Sequence, residues 1–359
     1  MALSIEGKTR PVRLADIAKA AGVSHGTASN VFARPEIVRE EVRERVRAVA
    51  EALGYAGPDP KGRLLRAGKV NAIGVATTEP LSYFFEDPFA RAMMAGISEA
   101  CDATGAGIAL VSAGNEEKLA WNIQSALVDG FILFCIEGGF RLVELTRERR
   151  LPFVALELGF RDETVSAIGV DNVAGAKLAA RHLAVLGHRR FAVLALQFAD
   201  ESTGLVSEEQ VKAAVYTGTR DRLAGYFDEL SRHGVDTATI PVFETANDEI
   251  TTRAGPETIF ATPTPPTAIL AMSDRMALVA LDWLRERGLD VPGDVSVVGF
   301  DGVPEAALSR PPLTTIAQPI AEIGRRAART ILDFDGQVRR ETLGVDLIVR
   351  ASSEAPRAG

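Results

Sequence analysis

Ser24, His25, Thr27, Ser29 and Asn30 bring hydroxyl, imidazole and amide groups into one short stretch, with Gly26 among them. Such groups recognise by hydrogen bonding. An Asn amide can pair bidentately with the edge of an adenine, and hydroxyls and the N–H groups at a helix start reach phosphate oxygens. The flanking residues predict how they are positioned. Leu14, Ile17, Ala18 and Ala21 follow the i, i+3, i+4, i+7 spacing of a helix. Gly22 can take the positive φ of a tight turn, and Ser24 is a good N-cap for a second helix over residues 24–32. Ala18 is small where two helices would cross, and Val23 and Val31 pack the second helix so that its first residues project outward. This is a helix-turn-helix, whose second helix enters a major groove. A third helix over residues 39–53 carries Val42, Val46, Val49 and Leu53 on one face and ends at Gly54.

The charge agrees once it is divided. The net of −8 over 359 residues argues against a nucleic-acid binder. Residues 1–68, however, hold twelve Lys and Arg against eight acids, a balance of +4, which leaves −12 for the rest. A basic head on an acidic body suggests a polyanion-binding module joined to something else. The 47% apolar and 25% charged residues belong to a globular chain with sizeable cores. No apolar run approaches ~18 residues, and residues 1–10 lack the apolar region of a secretory signal, so a cytoplasmic protein is expected. Cys101 and Cys135, without CxxC spacing, read as reduced thiols.

Residues 56–60, Ala-Gly-Pro-Asp-Pro, form a linker by composition. Beyond Val70, apolar strand-like runs (72–76, 107–112, 130–135, 153–156, 167–170, 191–196, 268–271, 295–300) alternate with helical stretches. That alternation means β-α-β units and parallel sheets, and the length predicts two doubly wound subdomains around a cleft. Residues 198–214 are polar and acidic and read as an exposed loop or a short extra helix.

On these residues the chain resembles the lactose-repressor (LacI/GalR) family of bacterial transcription regulators. The resemblance starts with the helix-turn-helix and runs through Leu53-Gly-Tyr55, residues 63–68, Ala72-Ile-Gly-Val75, Gly169-Val-Asp-Asn172 and residues 186–190. It continues through residues 221–225, 291–301 and Pro312-Leu-Thr-Thr315, over nearly the whole chain. It implies a homodimer or a tetramer that binds operator DNA under control of a small-molecule effector. It implies an all-α helix-turn-helix domain at 1–57, a hinge at 58–69, and a periplasmic-binding-protein-like α/β core at 70–359. Within the core, one subdomain is expected over about 70–171 and 302–335 and the other over about 172–301 and 336–359. His25, Thr27 and Asn30 become base-reading candidates, Ser24 and Ser29 phosphate contacts, and Gly26 a point of close backbone approach. The chain departs from the family at His25-Gly26 and Asn30, where a larger residue and Arg are frequent, so its operator should differ from the best-known ones. Leu65 matches the hinge leucine that wedges into the minor groove of bent DNA. Gly62, in place of Ala, weakens the hinge helix, and Arg39 stands where a capping Ser is common.

In open α/β sheets ligands bind outside the carboxyl ends of the strands. Asp171, Arg222 and Asp301 fall at the family's recurrent ligand positions there, with Phe89 able to stack on an apolar ring face. Glu157 and Ser273 are weaker matches, where the family more often has Asp and Asn, and Asp274 reads as a helix cap. Carboxylates and a guanidinium suit sugar hydroxyls. Purine-binding members share the frame, but Pro88 precedes Phe89 where a second stacking aromatic would be wanted, which favours a carbohydrate, polyol or sugar acid. The insertion at 79–86, with Tyr83, Phe84 and Phe85, could reach the cleft mouth. An enzyme is not expected. His182, His188 and His233 fall on helix ends or surfaces and pair with no nucleophile constellation, and there is no P-loop, zinc spacing or dinucleotide fingerprint. Neither a cofactor nor a metal is predicted, nor a membrane partner. An exported solute-binding protein would need a signal and would lack the basic head.

Overall fold

The computed structural model describes residues 12–57, 68–134, 140–156, 162–199 and 202–357. The chain divides into two units between Val70 and Asn71.

In the first unit, α1 (Leu14–Ala20), α2 (His25–Ala33) and α3 (Glu40–Ala52) enclose Ile17, Ala18, Ala21, Ala28, Val31, Val46 and Ala50. Gly22 has φ 64° in the turn, as its position predicts. The edge of Tyr55 meets Phe32 at 5.7 Å between ring centres and closes the bundle. Leu53, expected in the apolar face of the third helix, is 44% exposed, and Ala50 takes the buried position instead. Arg39 stands as the N-cap of α3 without a side-chain cap bond.

The second unit opens with β1 (Ala72–Thr77), α4 (Tyr83–Glu86), α5 (Pro88–Thr104), β2 (Gly107–Ser112), α6 (Glu116–Ser125) and β3 (Gly130–Phe134). Next come α7 (Phe140–Glu148), β4 (Phe153–Leu156), β5 (Ser166–Val170), α8 (Asn172–Val185) and β6 (Phe191–Ala195). The segment from 198 on is not simply exposed. Phe198 is buried, β7 (Gly204–Leu205) adds an edge strand, and α9 (Glu208–Lys212) follows under a Ser207–Gln210 capping box. Then come α10 (Thr217–Arg232), β8 (Val242–Glu244), α11 (Glu249–Ile259), β9 (Ala268–Ala271), α12 (Asp274–Glu286) and β10 (Ser296–Asp301). The chain closes with α13 (Pro304–Leu308), β11 (Thr314–Ala317), α14 (Ile320–Leu332), β12 (Arg340–Leu343) and β13 (Asp346–Ile348).

Two sheets result. The first has the order β12-β5-β4-β3-β1-β2 and is parallel throughout. The second, β13-β11-β10-β9-β6-β8-β7, is parallel except at its two edge pairs. The expected subdomain boundaries are corrected in the C-terminal third. β11, expected with the first subdomain, pairs with β10 in the second sheet. β12, expected with the second, pairs in parallel with β5, Arg340 opposite Ala167. The chain therefore passes between sheets three times, before α8, before α14 and before β13. α14 packs on α5, where Gly96 and Gly324 let the backbones touch. A Cβ at Gly96 would stand 1.9 Å from the carbonyl oxygen of Ala321. Among the described residues no helix is long and apolar enough to cross a membrane.

Candidate DNA interface and effector cleft

Ser24 caps α2 as its chemistry predicts. Its Oγ accepts the Thr27 N–H at 3.0 Å and lies 2.8 Å from the Thr27 hydroxyl. The cap is thus also a restraint on Thr27. Ala28 and Val31 bury one face of the helix, while His25 and Gly26 are exposed and Ser29 and Asn30 half-buried. Gly26 has only Ser24 Oγ, at 3.8 Å, near where a Cβ would stand, so packing does not demand a glycine there. Among the described residues the His25 ring and the Asn30 amide make no side-chain hydrogen bond. Leu65 and Gly62 lie outside the described residues.

In the second unit Asp301 ends a strand, Asp171 and Ser273 lie just beyond strands, and Arg222 and Phe89 are on helices. Asp301 is the last residue of β10 and not the residue after it, with φ 134° before Gly302 at φ 78°. A non-glycine residue held at positive φ signals a local demand other than packing. Its Oδ1 accepts the Gln318 amide at 2.9 Å, and Oδ2 accepts the Asp274 N–H at 3.2 Å. Arg222, on α10, donates through Nε to Asn172 Oδ1 at 2.8 Å and through Nη1 to the Met272 carbonyl. Both residues are buried. Burial pushes the Asp301 carboxyl well above the usual range, against the pull of the Arg222 charge.

Asp274 is not the cap of its helix. Ser273 is, its Oγ accepting the Met276 N–H at 3.1 Å. The Asp274 carboxylate reaches instead across to the Gly302 and Val303 N–H groups, at 2.7 and 2.9 Å, and to the Thr315 hydroxyl. Burial raises it to about 6 despite these bonds. It thereby braces the backbone that follows Asp301.

Asp171 is exposed and caps α8, accepting the Ala174 N–H at 2.8 Å. Phe89 sits 6.2 Å from Phe134, which also receives Phe84 at 5.4 Å and Tyr83 at 6.1 Å. Tyr83 and Phe84 of the inserted segment thus share Phe134 with Phe89, and Phe84 and Phe134 are buried in the core. Phe85 points away, 68% exposed. Glu157 and Cys135 lie outside the described residues, and Cys101 is buried.

Several polar residues escaped the sequence reading. Asp87 caps α5 through Oδ1, which accepts the Phe89 and Ala90 N–H groups at 2.9 and 3.1 Å. Asn247, at φ 55°, accepts the Ser273 hydroxyl at 2.6 Å. Arg275 and Asn247 both approach Asp87, and Gln318 holds Asp301. An Asp-Pro pair before a helical run was a legible cap signal for Asp87. His188, expected near a surface, is buried and lies within hydrogen-bond distance of Thr267, Ser296 and the Glu354 carbonyl. It anchors the C-terminal segment.

The comparisons with known proteins agree along the chain. Residues 13–57 match the family described as bacterial regulatory proteins, lacI family, and residues 180–353 a periplasmic binding protein-like domain. An HTH-type transcriptional regulator of Mycobacterium tuberculosis is 38% identical over 329 residues, 90% of this chain and 91% of that protein. Among solved structures, a CelR–cellobiose complex is 28% identical, covers 96% of this chain and all of that one, and gives a TM-score of 0.68. The lac repressor dimer bound to operator and the anti-inducer ONPF is 26% identical, with the same coverage and a TM-score of 0.73.

Proposed function

The chain belongs to the lacI family of bacterial regulatory proteins, and from that premise we propose that it is a cytoplasmic repressor whose operator affinity changes when a sugar or sugar derivative fills the cleft of its core. It is an HTH-type transcriptional regulator, and effector-regulated DNA binding fits its two parts. The observation that carries the sugar reading is the Arg222–Asp301 arrangement. A buried carboxyl at the end of β10 and a buried guanidinium reaching in from α10, each held by other partners, suit the paired donors and acceptors of vicinal hydroxyls. The cellobiose bound to the similar CelR supports the same class.

On the DNA side, His25, Thr27 and Asn30 read base edges while Ser24 and Ser29 meet phosphate. Leu65 is the minor-groove wedge of this reading. Two heads require a homodimer, which would place them on a pseudo-palindromic operator. Phe85, Ile250 and Leu308 are exposed by 68%, 84% and 79%. Arg91 donates to the Phe85 carbonyl and pairs with Glu305 on the helix carrying Leu308, so at least these two share a neighbourhood that a partner subunit could cover. The effector acts by its differential affinity for two states of the core. A purine or nucleoside is the second reading, favoured by the half-buried Tyr83 and Phe89 rings, which both pack on the buried Phe134.

Footprinting on DNA upstream of its own gene or a neighbouring operon should give a salt-sensitive protected site. A thermal-shift panel of sugars and nucleobases identifies the effector class, which should then alter protection. No protected site at any tested region removes the operator reading. Stabilisation by nucleobases alone replaces sugar with purine.

A further inference from the structure

The two oxygens of Asp87 are treated differently. Oδ1 is saturated by two backbone N–H groups at 2.9 and 3.1 Å. Among the described residues Oδ2 has only distant partners, the Asn247 amide nitrogen at 3.4 Å and Arg275 Nη1 at 3.5 Å, both well beyond the usual ~2.9 Å. The carboxylate is nonetheless 1% exposed. A buried carboxylate oxygen with two loose donors is an incompletely served acceptor. The three groups come from separate places: Asp87 starts α5 beyond the first sheet, Asn247 follows β8 and Arg275 lies in the first turn of α12, both on the second. Asn247 is held at positive φ, and the Ser273 hydroxyl fixes its amide oxygen at 2.6 Å, which turns the amide N–H groups toward Asp87. Ser273, which holds Asn247, is followed directly by Asp274, whose N–H donates to Asp301 Oδ2 at 3.2 Å, so one helix start ties this group to the Arg222–Asp301 arrangement.

Resting on the sugar reading above, we propose that Asn247 and Arg275, together with Oδ2 of Asp87, form a specificity subsite for an uncharged hydroxyl of the effector. A hydroxyl inserted among them donates to Oδ2 and accepts from the amide or the guanidinium, turning two long contacts into short ones. A carboxylate or phosphate would meet the buried Asp87 charge, and an ammonium would meet Arg275. The effector is therefore a neutral sugar or polyol, and sugar acids and sugar phosphates are rejected at this point.

The test is calorimetric titration of the full chain with cellobiose and two matched sets: ribose, ribonate and ribose 5-phosphate; glucose, gluconate and glucose 6-phosphate. At least one neutral sugar should bind, with its acid and phosphate weaker by roughly tenfold or more. Arg275→Gln and Asn247→Ala should each lower affinity for that sugar by a similar factor. Arg275→Lys, which keeps the charge and loses the fork, should fall between and serves if Arg275→Gln does not fold. An acid or phosphate binding as tightly as its neutral parent overturns the proposal. So does wild-type sugar affinity in both Asn247→Ala and the Arg275 variant. In those cases the sugar reading survives. If no sugar, acid or phosphate in the panel binds, the sugar reading itself fails and this subsite with it.

Discussion

The guanidinium of Arg222 lies over the ring of Phe300, 3.8 Å from its centre. Phe300 is fully buried and directly precedes Asp301, so one strand end supplies both the aromatic face that the cation rests on and the carboxyl group beside it. Asn172 and the Met272 carbonyl hold two of the five N–H donors of Arg222, and Gln318 holds Asp301. Both groups are held in place before a ligand arrives, which is how a recognition pair is preorganised.

Asp301→Asn tests that pair with little change of shape. It removes the carboxylate charge beside Arg222 and should abolish the effector-dependent change in operator affinity, read by anisotropy of labelled operator with and without saturating sugar. A titration midpoint equal to wild type would move the effector site elsewhere.

Asn30→Ala removes a half-buried amide that no other side chain engages among the described residues. The expected loss is about 1–3 kcal/mol of discrimination at one base pair, with affinity for random DNA kept. Competition of operator against scrambled DNA measures it. An equal loss on both DNAs would mean that Asn30 touches only the backbone.

Much of the architecture was legible because its signals are local. The spacing of Leu14, Ile17, Ala18 and Ala21 and the turn at Gly22 specify the head, and buried strands such as Ser296–Asp301 read as continuous apolar runs. What was missed is decided by distant partners. β12 is a four-residue strand with half-exposed side chains, and only its register on β5, Arg340 against Ala167, assigns it to the first sheet. The helix Ile320–Leu332 went unread although its apolar stripe is pronounced and Pro319 stands directly before it. At the cleft, Asp301 announced itself by ending an apolar run. Asn247 and Arg275 gain meaning only from Asp87, 160 and 188 residues away.

His188 sets a pH dependence. Burial pulls its pKa below the usual 6.5, so the folded state holds the ring neutral. The unfolded chain takes up a proton more readily, so stability should be full above about pH 6.5 and fall as the pH drops below it. Thermal melts from pH 7.5 to 5 of wild type and His188→Gln isolate this contribution, because the raised Asp274 and Asp301 carboxyls titrate in both. The gap between the two proteins should narrow toward acid. A constant gap would show that His188 does not titrate differently on unfolding.

The contact of α5 with α14 is made backbone to backbone at two points. A Cβ at Gly96 would stand 1.9 Å from the Ala321 carbonyl oxygen, and one at Gly324 2.3 Å from the Met93 carbonyl oxygen. Both clashes are with main chain, so no side-chain rotation relieves them, and the helices must separate. Overpacking of this kind costs about 1–3 kcal/mol, or a fall in melting temperature of roughly 2–5 °C for a core of this size. α14 starts two residues after Gln318, so its displacement should also loosen the hold on Asp301 and weaken effector affinity. Gly96→Ala and Gly324→Ala open the same gap, and the cost of opening it is incurred once. The double variant should therefore melt well above the temperature that adding the two losses would give. Full additivity in calorimetric melts would mean that the two glycines relieve separate contacts and that the helices do not move as one pair.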